Sequence, residues 1–173
     1  MEENQSVFKT SLNAGLLFGL IIVAYSLLLF VTDLAITSQG LSWISYIILA
    51  VGIYYAHTQF KNKGDGFMSY GQGLGIGTLT SLFAGILTGI FTVIYTTVID
   101  SGYQQRAMEQ ARRMLEERGM PDEQIDSALQ MSQTFTNPIL MMVMSILFMT
   151  FLGFIISLII AAITKKNDLT AEI

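Results

Sequence analysis

Of the 173 residues, 52% are hydrophobic and only 13% are charged, against roughly 25% charge in soluble domains, so polar residues are too few to coat a water-facing surface. A net charge of −4 argues against nucleic acid, whose binding rests on basic patches. Cysteine is absent, which excludes disulfides, iron–sulfur clusters, thiolate catalysis and cysteine-type zinc sites.

The remaining charge is unevenly placed. Thr10–Thr32, Leu34–Phe60, Gly66–Ile99 and Ser127–Thr164 contain no Lys, Arg, Asp or Glu. Each holds the ~20 apolar residues that a helix needs to cross a hydrocarbon core about 30 Å thick. The pattern predicts an all-α, polytopic integral membrane protein, a single membrane domain over 1–173 with four transmembrane helices. The start, MEENQSVFKTS, is acidic and opens onto an apolar run reaching Val31, unlike the basic start and short apolar core of a cleavable signal peptide. The first helix is therefore expected to stay. It is predicted over 12–32, with Ser11, Gly15 and Gly19 at four-residue spacing. Asp33–Gly40 follows as a short connection without Lys or Arg. The second span, 41–60, contains Gly52 and Ala56, and places Trp43 and Tyr46 near one interface, where amphipathic rings settle. His57, the sole histidine, falls at its other end beside Tyr54, Tyr55 and two lysines, and reads as an interfacial side chain.

The third span, 72–99, opens with MSYGQGLGIGT, in which Gly71, Gly73, Gly75 and Gly77 alternate. A dinucleotide fingerprint needs glycines at relative positions one, three and six. Counted from Gly71 the sixth position is Ile76, and counted from Gly73 it is Thr78, so the pattern fails. No Gly-Lys-Ser/Thr follows, so the phosphate-loop pattern fails too. Spacing by four fits better: Gly73, Gly77, Ser81, Gly85 and Gly89 make one continuous small-residue ridge. At 100° per residue Gly71 and Gly75 lie on nearly the opposite side. The third helix is thus expected to be slim on two faces and held between two neighbours, because close backbone approach drives helix association in lipid.

Asp100–Asn137 is polar and contains all four arginines, Arg106, Arg112, Arg113 and Arg118. Ala107, Ala111, Met114 and Leu115 recur at helical spacing, Gly119 is a natural stop, and Pro121 with Asp122 and Glu123 suits a new first turn. Ile125, Ala128, Leu129 and Ser132 mark a second narrow stripe. An extramembrane αα-hairpin is predicted over 100–137. Asn137–Pro138 then starts the fourth span, 138–164, whose small residues include Ser145, Gly153, Ser157 and Ala161.

Lys9, Lys61, Lys63, Lys165 and Lys166 flank helix ends on the side of the two termini, whereas the arginines spread through the longer loop opposite. The positive-inside rule then puts both termini in the cytoplasm. Within the spans, no nucleophile–base pair and no metal-ligand cluster stands out, and no enzyme, cofactor or metal is expected. Asp33 and Asp100 end two spans on the same side and form the one possible cation site, the alternative being two solvated boundary carboxylates.

FMSYGQGLGIG opening the third span, IFTVIYTTVID closing it, and ERGMPDEQIDSAL before TNPILMM resemble a bacterial membrane family known as domain of unknown function 4199. The resemblance runs from about Ser6 to Lys166 and implies a four-span inner-membrane protein; it brings no activity. The chain is read as a non-enzymatic assembly, scaffold or regulatory subunit of the bacterial inner membrane. Its partners are membrane lipids and either a second copy of itself or another membrane protein docked on 100–137. A small-solute or ion transporter, or a lipid-handling protein, is the alternative.

Overall fold

The computed structural model describes residues 6–133 and 137–166. Residues 134–136, the end of the stretch expected to lead from the hairpin into the last span, lie outside the described residues, as do 1–5 and 167–173. Eight α-helices are described, α1 (Val7–Val31), α2 (Leu34–Thr37), α3 (Gln39–Ser42), α4 (Ile44–Lys63), α5 (Tyr70–Ile94), α6 (Tyr103–Glu117), α7 (Asp122–Gln133) and α8 (Pro138–Thr164). A π turn, Tyr95–Ile99, extends α5. No strand occurs among the described residues, only a bridge between Met68 and Lys166. Val7–Val31, Gly40–Lys63, Tyr70–Ile99 and Pro138–Thr164 are each long and apolar enough to cross a membrane. The protein is all-helical with four spans.

Local chemistry sets the helix ends. Ser69 and Gln72, within SYGQ, make a reciprocal capping box: the Ser69 hydroxyl accepts from the Gln72 amide at 3.2 Å, and Gln72 Oε1 accepts from the Ser69 amide at 2.8 Å. The segment that looked like a phosphate loop is therefore a helix start that satisfies its own donors. Asn137 caps α8 by accepting from Ile139 N at 2.9 Å, with Pro138 in the first turn, where no amide hydrogen is needed. Gly119, at φ 73°, closes α6 in the left-handed conformation, while Met120 N reaches back to Leu115 O at 3.2 Å. Span one begins at Val7, earlier than the composition suggested, because Lys9, Thr10 and Ser11 are readily accommodated in the first turns of a helix.

α5 is the hub. It packs most extensively on α8 and α1, and α4 touches all three. The α5–α8 contact is an interlock of small residues. Ser157 lies against Gly77 and Ser81 lies against Gly153, so each helix presents a hydroxyl to the other's bare backbone. Gly73 faces Ala161, Gly85 faces Ile146 and Met149, and Gly89 faces Met142 and Ile146. The whole four-residue ridge of α5 thus meets one partner.

The second slim face predicted for α5 is not where its second neighbour sits. A Cβ at Gly75 would come no nearer than 3.8 Å to Val7, and one at Gly71 would meet nothing within 4 Å among the described residues. α1 begins at Val7, level with Gly75, so Gly71 lies a turn beyond its start. The glycines of the α1–α5 contact come from α1 instead. A methyl at Gly15 would come within 2.6 Å of Phe83 Cβ, and one at Gly19 within 3.1 Å of the Ala84 Cα. Ser11 Oγ adds a hydrogen bond to Ile76 O at 3.2 Å. The buried Thr80 hydroxyl has no hydrogen-bond partner among the described residues.

His57 departs from the interfacial reading. It is fully buried, 0% exposed, where α4, α5 and α8 meet. Nε2 donates to Gly73 O at 2.8 Å, since a carbonyl can only accept, and Nδ1 pairs with Thr164 Oγ1 at 2.8 Å. Gly73 makes room for the ring, whose Cε1 lies 3.4 Å from where a Cβ would stand. Beside it Lys61 Nζ donates to Thr164 O at 3.0 Å, and Met68 and Lys166 exchange backbone hydrogen bonds of 2.9 Å. These contacts tie the α4–α5 loop to the end of α8.

Candidate functional site

At the opposite end of the bundle two departures from regular α-helix bring carboxylates together. Asp33 breaks the chain between α1 and α2 at φ 55°, ψ 10°, a left-handed conformation that aspartate tolerates better than most side chains. The π turn inserts one extra residue per hydrogen-bonded ring, closed by Asp100 N to Tyr95 O at 2.8 Å, and so changes the azimuth at which Asp100 leaves α5. Arg106, one turn into α6, lies between the two. Its Nη2 is 2.5 Å from Asp100 Oδ2 and its Nη1 3.2 Å from Oδ1, a two-pronged contact. Its Nε and Nη2 also reach Asp33 Oδ1, at 3.2 and 3.0 Å.

Asp33 and Asp100, named from sequence as a cation site, therefore do converge, and the cation between them is the protein's own guanidinium. Arg106 was not singled out in the sequence, although its six-residue distance from Asp100 across a turn was the available signal.

Below the guanidinium sits a cluster of rings from three elements. Phe30 of α1 lies 4.9 Å from Tyr103 of α6 and 5.0 Å from Tyr95 of the π turn, and Phe91 of α5 stacks on Phe30 at 6.1 Å. Arg106 Cζ stands 5.9 Å over the Tyr103 ring. The sequence signal was the four-residue spacing of Phe91 and Tyr95, obscured because their partners come from elsewhere in the chain.

The electrostatics follow this packing. Hydrogen bonding to Arg106 holds the Asp100 carboxyl below the usual carboxylate range, against a smaller opposing effect of desolvation. Arg106 is raised in turn, first by Asp100 and then by Asp33. Burial pushes the Tyr103 phenol up to about 12, with the negative charge of Asp33 adding to the effect. The Arg106, Asp33 and Asp100 side chains keep 40%, 41% and 24% of their surface exposed. Water and salt therefore screen the pairs, and their effect is to orient α6 more than to stabilise the fold.

The hairpin that this latch holds is itself pinned. Arg112 of α6 pairs with Asp126 of α7, and Ile125 is buried at 1% exposure between the helices. Ala107, Ala111, Met114 and Leu115 are half-buried, as an inward stripe requires. α6 packs on α7 and touches α2 at its base, which leaves Glu109, Arg113, Glu116, Glu117 and Glu123 exposed on the outside.

The family model described as Protein of unknown function (DUF4199) matches residues 13–166. The chain belongs to this family. The match takes in the first span from residue 13 onward, the other three spans, the latch and the hairpin of this DUF4199 member. No match was found among curated proteins or among solved structures. Among the described residues no three His, Asp or Glu side chains gather in a way that could hold a metal ion.

Proposed function

We propose that the protein is a non-enzymatic assembly, scaffold or regulatory subunit of a membrane complex, with the α6–α7 hairpin as its contact surface. One observation carries the reading: Arg106 fastens a charged, internally pinned hairpin to a bundle whose interior is given over to packing. A docking element needs a fixed orientation and an exposed, charge-rich face, and both are present in α6 and α7. We place the protein in the inner membrane of a bacterium, with both termini in the cytoplasm and the hairpin outside. The lysines flanking helix ends on the termini side support that orientation.

Deleting 104–132 from the full chain and comparing what co-purifies tests the proposal. Partners, or a second copy of the chain, should be lost while the four-span bundle still inserts. Retention of every partner by the shortened chain would be evidence against it. Transport is the second reading, because two carboxylates meet at one mouth of the bundle. Arg106 neutralises much of their charge, so it has less support. An ion flux in liposomes that Asp100→Asn abolishes would reverse the order.

A further inference from the structure

At the end of the bundle away from the hairpin, a pocket of about 120 Å³ opens between the start of α1 and the end of α4. It is lined by Thr10, Asn13, Ala14 and Leu17 of α1 and by Tyr55, Gln59 and Lys63 of α4. Four of these carry polar groups with no hydrogen-bond or ion-pair partner among the described residues: the Asn13 and Gln59 amides, the Tyr55 hydroxyl and the Lys63 ammonium. The exposed amide of Asn13 is the anomaly. It stands six residues past the start of α1, which is about 9 Å along the helix axis, inside a segment otherwise apolar enough to span. A polar group facing hydrocarbon with no partner is costly, so something polar from the membrane should reach it.

The lining specifies the visitor. One ammonium and two amides offer donors at the lysine-rich end of the bundle, and no carboxylate lines the pocket. That combination suits a phosphodiester anion and sets no negative charge against a headgroup amine. Leu17, Ala14 and the Tyr55 ring continue the wall toward the bilayer centre, where an acyl chain would run. The volume is comparable to the roughly 150 Å³ cavity that admits one benzene, enough for a headgroup phosphate and too small for a whole lipid.

We infer that this pocket binds the phosphate of an anionic phospholipid from the adjacent leaflet, with Lys63, Asn13 and Gln59 as its ligands. The site is independent of the hairpin and of the role proposed for it.

The test uses the full chain in a mild detergent, with its thermal unfolding followed while phosphatidylglycerol, phosphatidylethanolamine or glycerol 3-phosphate is added. Phosphatidylglycerol should raise the melting temperature, and Lys63→Ala and Asn13→Leu should each weaken that response by about tenfold. Phosphatidylethanolamine should act more weakly. Glycerol 3-phosphate alone should have little effect, because it lacks the chain that Leu17 and Tyr55 receive. Asn13→Leu should unfold at the same or a higher temperature without lipid, since it removes an unpartnered amide. An equal response to glycerol 3-phosphate would mean a soluble phosphate site and overturn the lipid assignment. Undiminished lipid response in both variants, or a lipid-free Asn13→Leu that melts earlier, would overturn the site itself.

Discussion

At the scale of single residues, the glycines of α5 divide by what lies opposite. A methyl at Gly77 would collide with the Ser157 side chain and approach Ile53 Cγ2 to 2.9 Å, whereas one at Gly85 would sit 3.5 Å from Ile146 and Met149, an ordinary contact. Gly77→Ala should therefore cost about 1–3 kcal/mol through overpacking. Gly85→Ala should stay within about 1 kcal/mol and lean toward stabilisation, because alanine loses less backbone freedom in a helix. Unfolding titrations of the two purified variants against the parent measure the difference; equal losses at both positions would contradict the interlock. The four-residue period was visible in the chain, and the partner of each glycine was not. Nothing in KNKGDGFMSYGQG announces that Gly73 clears a space for His57, because those two residues meet only when α4 and α5 lie side by side against α8.

At the scale of elements, α6 and α7 were legible from apolar spacing, from Gly119 and from Pro121. The latch that aims them was not. It depends on a left-handed turn at Asp33 and on a π turn before Asp100, both local departures from the regular period that sequence patterns report. Its pH behaviour follows from the direction of each shift. Asp100 has a depressed folded pKa, so its contribution is fully present above the ordinary value of 3.8 and is lost as pH falls through the lower folded value. Tyr103 has a raised one, so its contribution is present below 10.0 and is lost as pH rises through about 12. Limited proteolysis of 104–132 should thus stay slow from about pH 4 to pH 10 and accelerate outside that window. Arg106→Met should make the segment several-fold more sensitive at pH 7, and Asp33→Asn should do so less, because asparagine keeps the left-handed turn and Asp100 still holds the guanidinium. Cleavage rates indifferent to both substitutions would show that the latch does not set the hairpin's position.

For the whole molecule, the four spans leave the hairpin on the side opposite the α4–α5 loop. Because the chain has no cysteine, single cysteines report that arrangement cleanly. Ser127→Cys in α7 and Asn62→Cys at the end of α4, both at exposed positions, should react from opposite sides of the membrane with an impermeant thiol reagent. With the orientation proposed above, Ser127→Cys is labelled on intact cells and Asn62→Cys only after the membrane is opened. The reverse pattern would invert the topology and move the hairpin to the cytoplasm.

Runs free of charge, a lysine-flanked pair of termini and a five-member row of small residues determined, from the chain alone, that this protein crosses a bilayer four times and packs by close backbone approach. Those features are readable because hydrocarbon penalises charge wherever it occurs along a helix, so the penalty is written locally. Tertiary structure alone decided which helix fills which groove, that the two boundary carboxylates share Arg106, and that an amide without a partner among the described residues lines a pocket between α1 and α4. Such facts belong to pairs of side chains brought together by helix rotation and by two irregular turns. A few degrees in either would separate them without changing the sequence pattern.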